Sequence, residues 1–351
     1  MVWTIISGGV LGVIFGFVLQ RTRFCMTGGF RDMYTAKNNK MFYAFLLAIL
    51  IQSVGVLTLV QLGYVSSPYK EFSLVGTIFG SYLFGIGIVL ASGCATGTWY
   101  RAGEGLIGSW LALAMYMLSA AMMKYGVLVE FKNTLTSYTR MNDNLAAQLG
   151  ISVWWLVGLL AIAVVFGLYQ TLSKRPKNKV ATLPQKYQGL RHWLFEKRYH
   201  PFVAALAIGI IALVAWPASE STGRAGGLGI TTPSANLIHF LVTGDEKRLN
   251  WGVFLVIGIF IGSYLAAKGS REFRWRLPDT KTLYHSVVGG FTMGVGASLA
   301  GGCTIGNGLT ATAVMSSKGW IALAFTILGV WTMAHVLFIR PRRLALANAA
   351  A

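Results

Sequence analysis

Uncharged apolar runs of about 18 or more residues, the length that spans a bilayer as a helix, recur along the chain. They lie at 2–19, 41–62, 74–92, 105–123, 144–173, 202–219, 249–267 and 319–339. A further stretch at 286–303 has the same length but is rich in glycine. The pattern predicts an all-α polytopic membrane protein with about nine transmembrane helices.

Two of these runs stop in the same way. LASGCATGTW at 90–99 and LAGGCTIGNG at 299–308 each place a cysteine among glycines where a helix should continue. The match extends back along both runs. Gly80, Gly85, Gly87, Leu90, Ala91, Gly93, Cys94 and Gly97 recur as Gly289, Gly294, Gly296, Leu299, Ala300, Gly302, Cys303 and Gly306. Repeats of this kind define the architecture before any other feature. Glycine costs about 1 kcal/mol in a helix interior relative to alanine, so the clusters around Cys94 and Cys303 predict unwound backbone. Within a membrane such backbone must be buried in protein or line a cavity. Elsewhere, Gly8, Gly12 and Gly16, Gly76 and Gly80, and Gly290 and Gly294 are spaced four apart, an interval that lets helices approach closely in lipid.

Composition agrees with this picture. The 351 residues are 55% hydrophobic and 12% charged, about half the charged share of a soluble domain. The net charge of +19 does not point to nucleic acid, because the basic residues sit in short loops beside apolar runs. Residues 20–40 carry five basic residues and one acid, residues 173–200 eight and one, and RPRR follows the last run. The positive-inside rule assigns all three to the cytoplasm and the balanced loops at 63–73 and 217–250 to the outside. Nine crossings then put the N-terminus outside and the C-terminus inside. The first run lacks a basic start and is too long for a cleavable signal peptide. The chain divides into a first membrane repeat with an extra helix (1–172), a basic cytoplasmic linker (173–200), a second membrane repeat (201–341) and a tail (342–351). The extra helix near 150–170 turns a same-direction sequence repeat into an inverted structural one. Cys94 then faces the cytoplasm and Cys303 the outside, and inverted repeats hold their substrate near the midplane on broken helices.

The three cysteines, Cys25, Cys94 and Cys303, form no CxxC pair and have no histidine at ligand spacing, so no metal site or cofactor is expected. Walker A and HExxH motifs are absent from the sequence, which removes the corresponding enzyme classes. A broken helix presents free N–H groups and its dipole to an anion. In RTRFCMTGGFRD, Cys25 lies between Arg23 and Arg31. The counterpart segment GRAGGLGITTPSAN at 223–236 has Ile230 where a third repeat cysteine would stand. Cys25, Cys94 and Cys303, with Gly93 and Gly302 and the basic surroundings Arg23, Arg31, Arg101 and Arg224, are the candidate site. Arg21, Arg23, Arg31 and Arg101 have a second reading, as anchors of segment ends. Thiols beside anion-binding backbone suit a ligand both anionic and soft: an oxyanion with a terminal sulfur accepts S–H hydrogen bonds that sulfate has no use for. Weak stations also suit passage, since a site must release what it admits.

Together, GCATG, GGCTIG and RFCMTGGFRD resemble the YeeE/YedE family of sulfur-transport membrane proteins over nearly the whole chain. The resemblance implies an hourglass-like inverted pseudo-repeat in the bacterial inner membrane, thiosulfate uptake, Cys25, Cys94 and Cys303 as pathway cysteines, and a separate TusA-type sulfurtransferase as partner. Two alternatives stay open: a carrier for sulfite, sulfide or selenite, and a membrane-bound sulfurtransferase with a cysteine persulfide. A glycerol- or water-type channel would share paired half-helices but needs two Asn-Pro-Ala boxes, and only Gly306-Asn307-Gly308 comes near.

Overall fold

The computed structural model describes residues 2–66, 69–173, 188–197, 199–343 and 348. Among the described residues, eight helices are long and apolar enough to cross a membrane. They are α1 (Val2–Thr22), α3 (Lys40–Gln61), α4 (Leu74–Leu90), α6 (Ile107–Tyr125), α9 (Val153–Ser173), α11 (Pro201–Glu220), α13 (Trp251–Gly269) and α15 (Ser317–Ala334). The nine helices expected from the sequence are thus eight by this measure: the 20-residue α14 (Thr280–Leu299) matches them in length, about 30 Å at 1.5 Å per residue, but its glycines and polar first turns dilute its hydropathy. Short helices complete the set: α2 (Met26–Thr35), α5 (Ala95–Gly103), α7 (Val129–Ser137), α8 (Leu145–Leu149), α10 (Gly189–Phe195) and α12 (Thr231–Thr243). The second counterpart of α5 is a π-helical turn at Gly306–Ala311. Among the described residues, strand is confined to the two-residue ribbon Phe72–Ser73 with Arg140–Met141. Most of the basic segment at 173–200 lies outside the described residues. Within it, α10 is tied to the first repeat by Arg21, whose Nε donates to the Leu194 carbonyl at 2.9 Å.

The two repeats match element for element: α1 to α6 correspond to α11, α12, α13, α14, the π turn and α15. They are intertwined. Helix α1 runs parallel to α13 of the other repeat, with Gly8, Gly12 and Gly16 against the Trp251, Leu255 and Ile259 carbonyls. The equivalent pair, α11 and α3, meets where Gly209 packs on Ala48 and Ile51 and Gly55 on Leu213. Helices α4 and α14, themselves equivalent, run antiparallel: Gly80 lies against Gly296 and Ala300, and Gly87 against Gly289 and Met293. Equivalent helices crossing in opposite directions are the mark of inverted repeats. The four-residue glycine intervals are therefore the surfaces where one repeat meets the other.

Helix α9 stands outside this symmetry. It packs on α3, with Gly167 against Tyr43, and exposes Trp155, Leu159, Ile162, Val165, Phe166, Tyr169 and Leu172. Exposed apolar surface on this scale suits the outer face of a membrane-spanning helix. The core contains Phe15, Phe30, Phe45, Tyr100, Tyr116 and Trp251, packed around the two broken segments.

Candidate functional site

Both Gly-Cys elements close their helices with the same hydrogen bonds. At the end of α4, Gly93 N–H donates to the Ile88 carbonyl at 3.0 Å, and at the end of α14, Gly302 N–H donates to Ala297 at 2.8 Å. This six-to-one bond requires a left-handed residue just before it. Gly301 supplies it at φ 67°, and Ser92 supplies it without the help of glycine at φ 56°. The chain then turns into the cysteine. Cys94 is the N-cap of α5, and its Sγ accepts from Gly97 N–H at 3.4 Å.

Cys25 holds the N-cap position of α2, also extended, at φ −131°, but without a side-chain cap hydrogen bond. Ile230 holds the equivalent place before α12 and is fully buried, so the sequence counterpart of Cys25 is also its structural one. The fold brings two of the three sulfurs together: a Cβ on Gly97 would stand 3.5 Å from the Cys94 Sγ and 3.9 Å from the Cys25 Sγ. All three cysteines are free and buried.

Cys303 sits at the floor of a cavity of about 260 Å³ that is also lined by Arg224, Gly226–Pro233, Gly302, Asn307 and Lys318. Arg224 is held there by bonds to Ser219 Oγ and the Gly227 carbonyl, both 2.9 Å, and by stacking over Trp251 at 5.6 Å. Asn307 Nδ2 bonds the Ala300 and Gly302 carbonyls at 3.0 and 3.1 Å, fixing the turn before Cys303. A constriction with room for about 10 Å³ lies where the two turns approach each other, lined by Cys94, Thr96 and Gly97 of one, Thr304 and Ile305 of the other, and Met26 and Leu309.

Beyond Cys94, Arg101 lies 3.5 Å from the Cβ position of Gly93 and donates to the Ser92 carbonyl and to Tyr100 Oη at 3.3 Å. Arg23 instead pairs with Glu272 at 3.1 Å, and Arg31 is engaged near the far end of α2 with Asp32 at 2.9 Å and over the Phe338 ring. Of the four arginines singled out in the sequence, Arg101 and Arg224 stand beside the thiol path, while Arg23 and Arg31 serve the helix ends.

Four further residues stand close to the cysteines or their cavity and were not singled out. The hydroxyls of Thr27, Thr96 and Thr304 are buried with no hydrogen-bond partner, and each belongs to a residue one or two positions after a cysteine. Buried hydroxyls normally find a partner, and these three without one each follow a cysteine closely in sequence. The fourth is Lys318. It lines the Cys303 cavity, and its sequence signal was available, since no other Asp, Glu, Lys or Arg occurs between 282 and 339.

Intertwined inverted repeats, with half-helix N-termini, thiols and orphan hydroxyls gathered at their interface, define a membrane carrier or channel for a small anion. The comparisons agree. The model of the sulphur transport family matches residues 21–332, and the chain belongs to that family. It is 56% identical over 348 residues to the thiosulfate transporter TsuA of Escherichia coli K12, covering 99% of both chains. It is 34% identical over 354 residues to the thiosulfate transporter TsuA of Spirochaeta thermophila, covering 97% of this chain and all of the relative. The probable transporter YedE of E. coli matches at 29% over 175 residues, covering 49% of this chain and 43% of its own.

Proposed function

We propose that the protein imports thiosulfate into the cytoplasm, passing the anion from the Cys303 cavity through the constriction to Cys94 and Cys25. The observation that carries this reading is the chemical division along the path. Cationic side chains and the threonine hydroxyls meet oxygens, while the three thiols meet a terminal sulfur. Two relatives named as thiosulfate transporters, similar over nearly their whole length, support the same substrate.

The reading is transport without chemical conversion. A sulfurtransferase needs an exposed, activated thiol that an acceptor can reach, whereas Cys25, Cys94 and Cys303 are 8%, 5% and 2% exposed. Positive-inside counting places the loops at 20–40 and 173–200 in the cytoplasm of a bacterial inner membrane, with the N-terminus and the Cys303 cavity outside. The Arg101 end of the path then delivers thiosulfate inside, where a separate TusA-type sulfurtransferase is the partner that consumes it. Consumption matters energetically. A dianion entering an inside-negative cell works against about 4.6 kcal/mol per 100 mV, at about 2.3 per charge.

Uptake of sulfur-labelled thiosulfate into proteoliposomes tests the reading. Unlabelled thiosulfate should compete and equimolar sulfate should not; equal competition by sulfate would remove the role assigned to the thiols.

A further inference from the structure

The two Gly-Cys turns share one contact that their repeated sequence does not explain. Ser92 and Gly301 are equivalent residues, both left-handed, both exposed and both two positions before a pathway cysteine. The carbonyl of each accepts a hydrogen bond from a cation. Arg101 donates to Ser92, and Lys318 Nζ donates to Gly301 at 3.3 Å. These cations are not equivalent. The position matching Arg101 is Thr310, whose hydroxyl bonds Leu228 at 2.8 Å, and the position matching Lys318 is Ser109. Duplication alone would have carried one residue to both places; here two different residues reach the same carbonyl from different helices.

We propose that Arg101 and Lys318 are latches, each closing one mouth of the anion path over its Gly-Cys turn, Arg101 over Cys94 and Lys318 over Cys303. The proposal rests on the transport-path reading. Each cation crosses its turn closely: a Cβ would stand 3.5 Å from Arg101 Nη1 at Gly93, and 2.7 Å from Lys318 Nζ at Gly301. Neither has an ion-pair partner among the described residues, so each rests on a neutral carbonyl at the C-terminal end of a helix, where positive charge is favoured. An arriving oxyanion offers the stronger, charge-assisted partner. A cation can therefore leave its carbonyl for the anion, which a neutral cap would have no cause to do.

Thiol accessibility reads this directly, without thiosulfate present. A membrane-impermeant thiol reagent is applied to right-side-out and inverted vesicles, and modification of each cysteine is followed by mass spectrometry. Arg101→Gln should speed modification of Cys94 from the cytoplasmic face by about tenfold, the effect of losing one charge-assisted hydrogen bond, and leave Cys303 unchanged. Lys318→Gln should do the same for Cys303 from the outer face only, and Arg101→Lys should restore the slow rate at Cys94. Unchanged rates in both Gln variants would overturn the proposal. So would faster labelling of all three cysteines from both faces, which reports general loosening. The sided pattern can survive a failure of the thiosulfate reading, and thiosulfate uptake can survive a failure of the latches, so the two are told apart.

Discussion

Gly12 and Gly258 meet with no side chain between them: a methyl on Gly12 would stand 2.9 Å from the Gly258 Cα and overlap the Leu255 carbonyl. The obstacle is backbone on a parallel helix of the other repeat, so it cannot rotate away. Gly12→Val should therefore force α1 off α13, at a cost of about 1–3 kcal/mol or more, the range for overpacked cores. The measurement is the midpoint of thermal unfolding in detergent. Gly9→Val, at a position with nothing within 4 Å, is the control and should leave the midpoint unchanged.

Asp143 makes the opposite kind of contact, polar and between the extra segment and the second repeat. Its carboxylate accepts from Ser316 Oγ at 2.5 Å and Lys318 N–H at 2.9 Å, capping α15. Burial pushes its pKa up from the ordinary 3.8, against the pull of those bonds. A carboxyl whose pKa is raised by folding binds its proton more tightly folded than unfolded. Its contribution is therefore fully present below about 3.8 and is lost as pH rises through the raised value. Asp143→Asn should remove that acid-side gain, giving a flatter stability profile between the ordinary and the raised value. An unchanged slope in that window would show that Asp143 does not titrate there.

Much of this was legible in the sequence because it is local. Glycine clusters break helices wherever they fall, so the turns at Cys94 and Cys303 could be read directly, and the matching residues at 80–97 and 289–306 gave the repeat. Even Ile230 could be paired with Cys25 from its neighbours. What was hidden depends on the other repeat. That α1 packs on α13 rather than on a neighbour in its own repeat follows from which glycine faces meet, and Gly12 does not name its partner. Arg31 and Arg101 both stand within seven residues of a cysteine, yet only the fold sends one to Asp32 and Phe338 and the other across Ser92. The threonines were silent for the same reason: a hydroxyl in a helix usually bonds its own backbone, as Thr98 does to Ala95 at 2.7 Å, and only the packed structure shows that Thr96 does not.

Those threonines separate stability from transport. Leaving a buried hydroxyl unpaired costs about 1–3 kcal/mol, so Thr96→Val and Thr304→Val should hold or raise the unfolding midpoint. The same changes remove donors from the narrowest part of the path and should lower thiosulfate uptake per folded molecule several-fold. A residue kept only for packing would not show gain in one measurement and loss in the other. Uptake at the parent rate in both variants would reduce the hydroxyls to structural leftovers.

The cysteines allow the sharpest test, one at a time. Cys94→Ala removes the thiol that shares the space beside Gly97 with Cys25 and lines the constriction. It also removes the acceptor for Gly97 N–H, at a cost of about 1 kcal/mol, typical for an N-cap. Cys303→Ala removes the thiol at the floor of the outer cavity and no hydrogen bond of the described fold. Both proteins should therefore fold, with Cys94→Ala the less stable, and both should lose most uptake, because stations in series fail at the weakest. Cys25→Ala should be milder. Its counterpart Ile230 already does without a sulfur, and Cys94 remains beside it to hold the anion. Replacement by Ser keeps a donor that is harder and bonds more strongly, so at best partial uptake should return. The measurement is labelled-thiosulfate uptake normalised to folded protein in the membrane. If all three Ala variants transport at the parent rate, the thiols are packing residues, and recognition of a terminal sulfur must be sought elsewhere on the path.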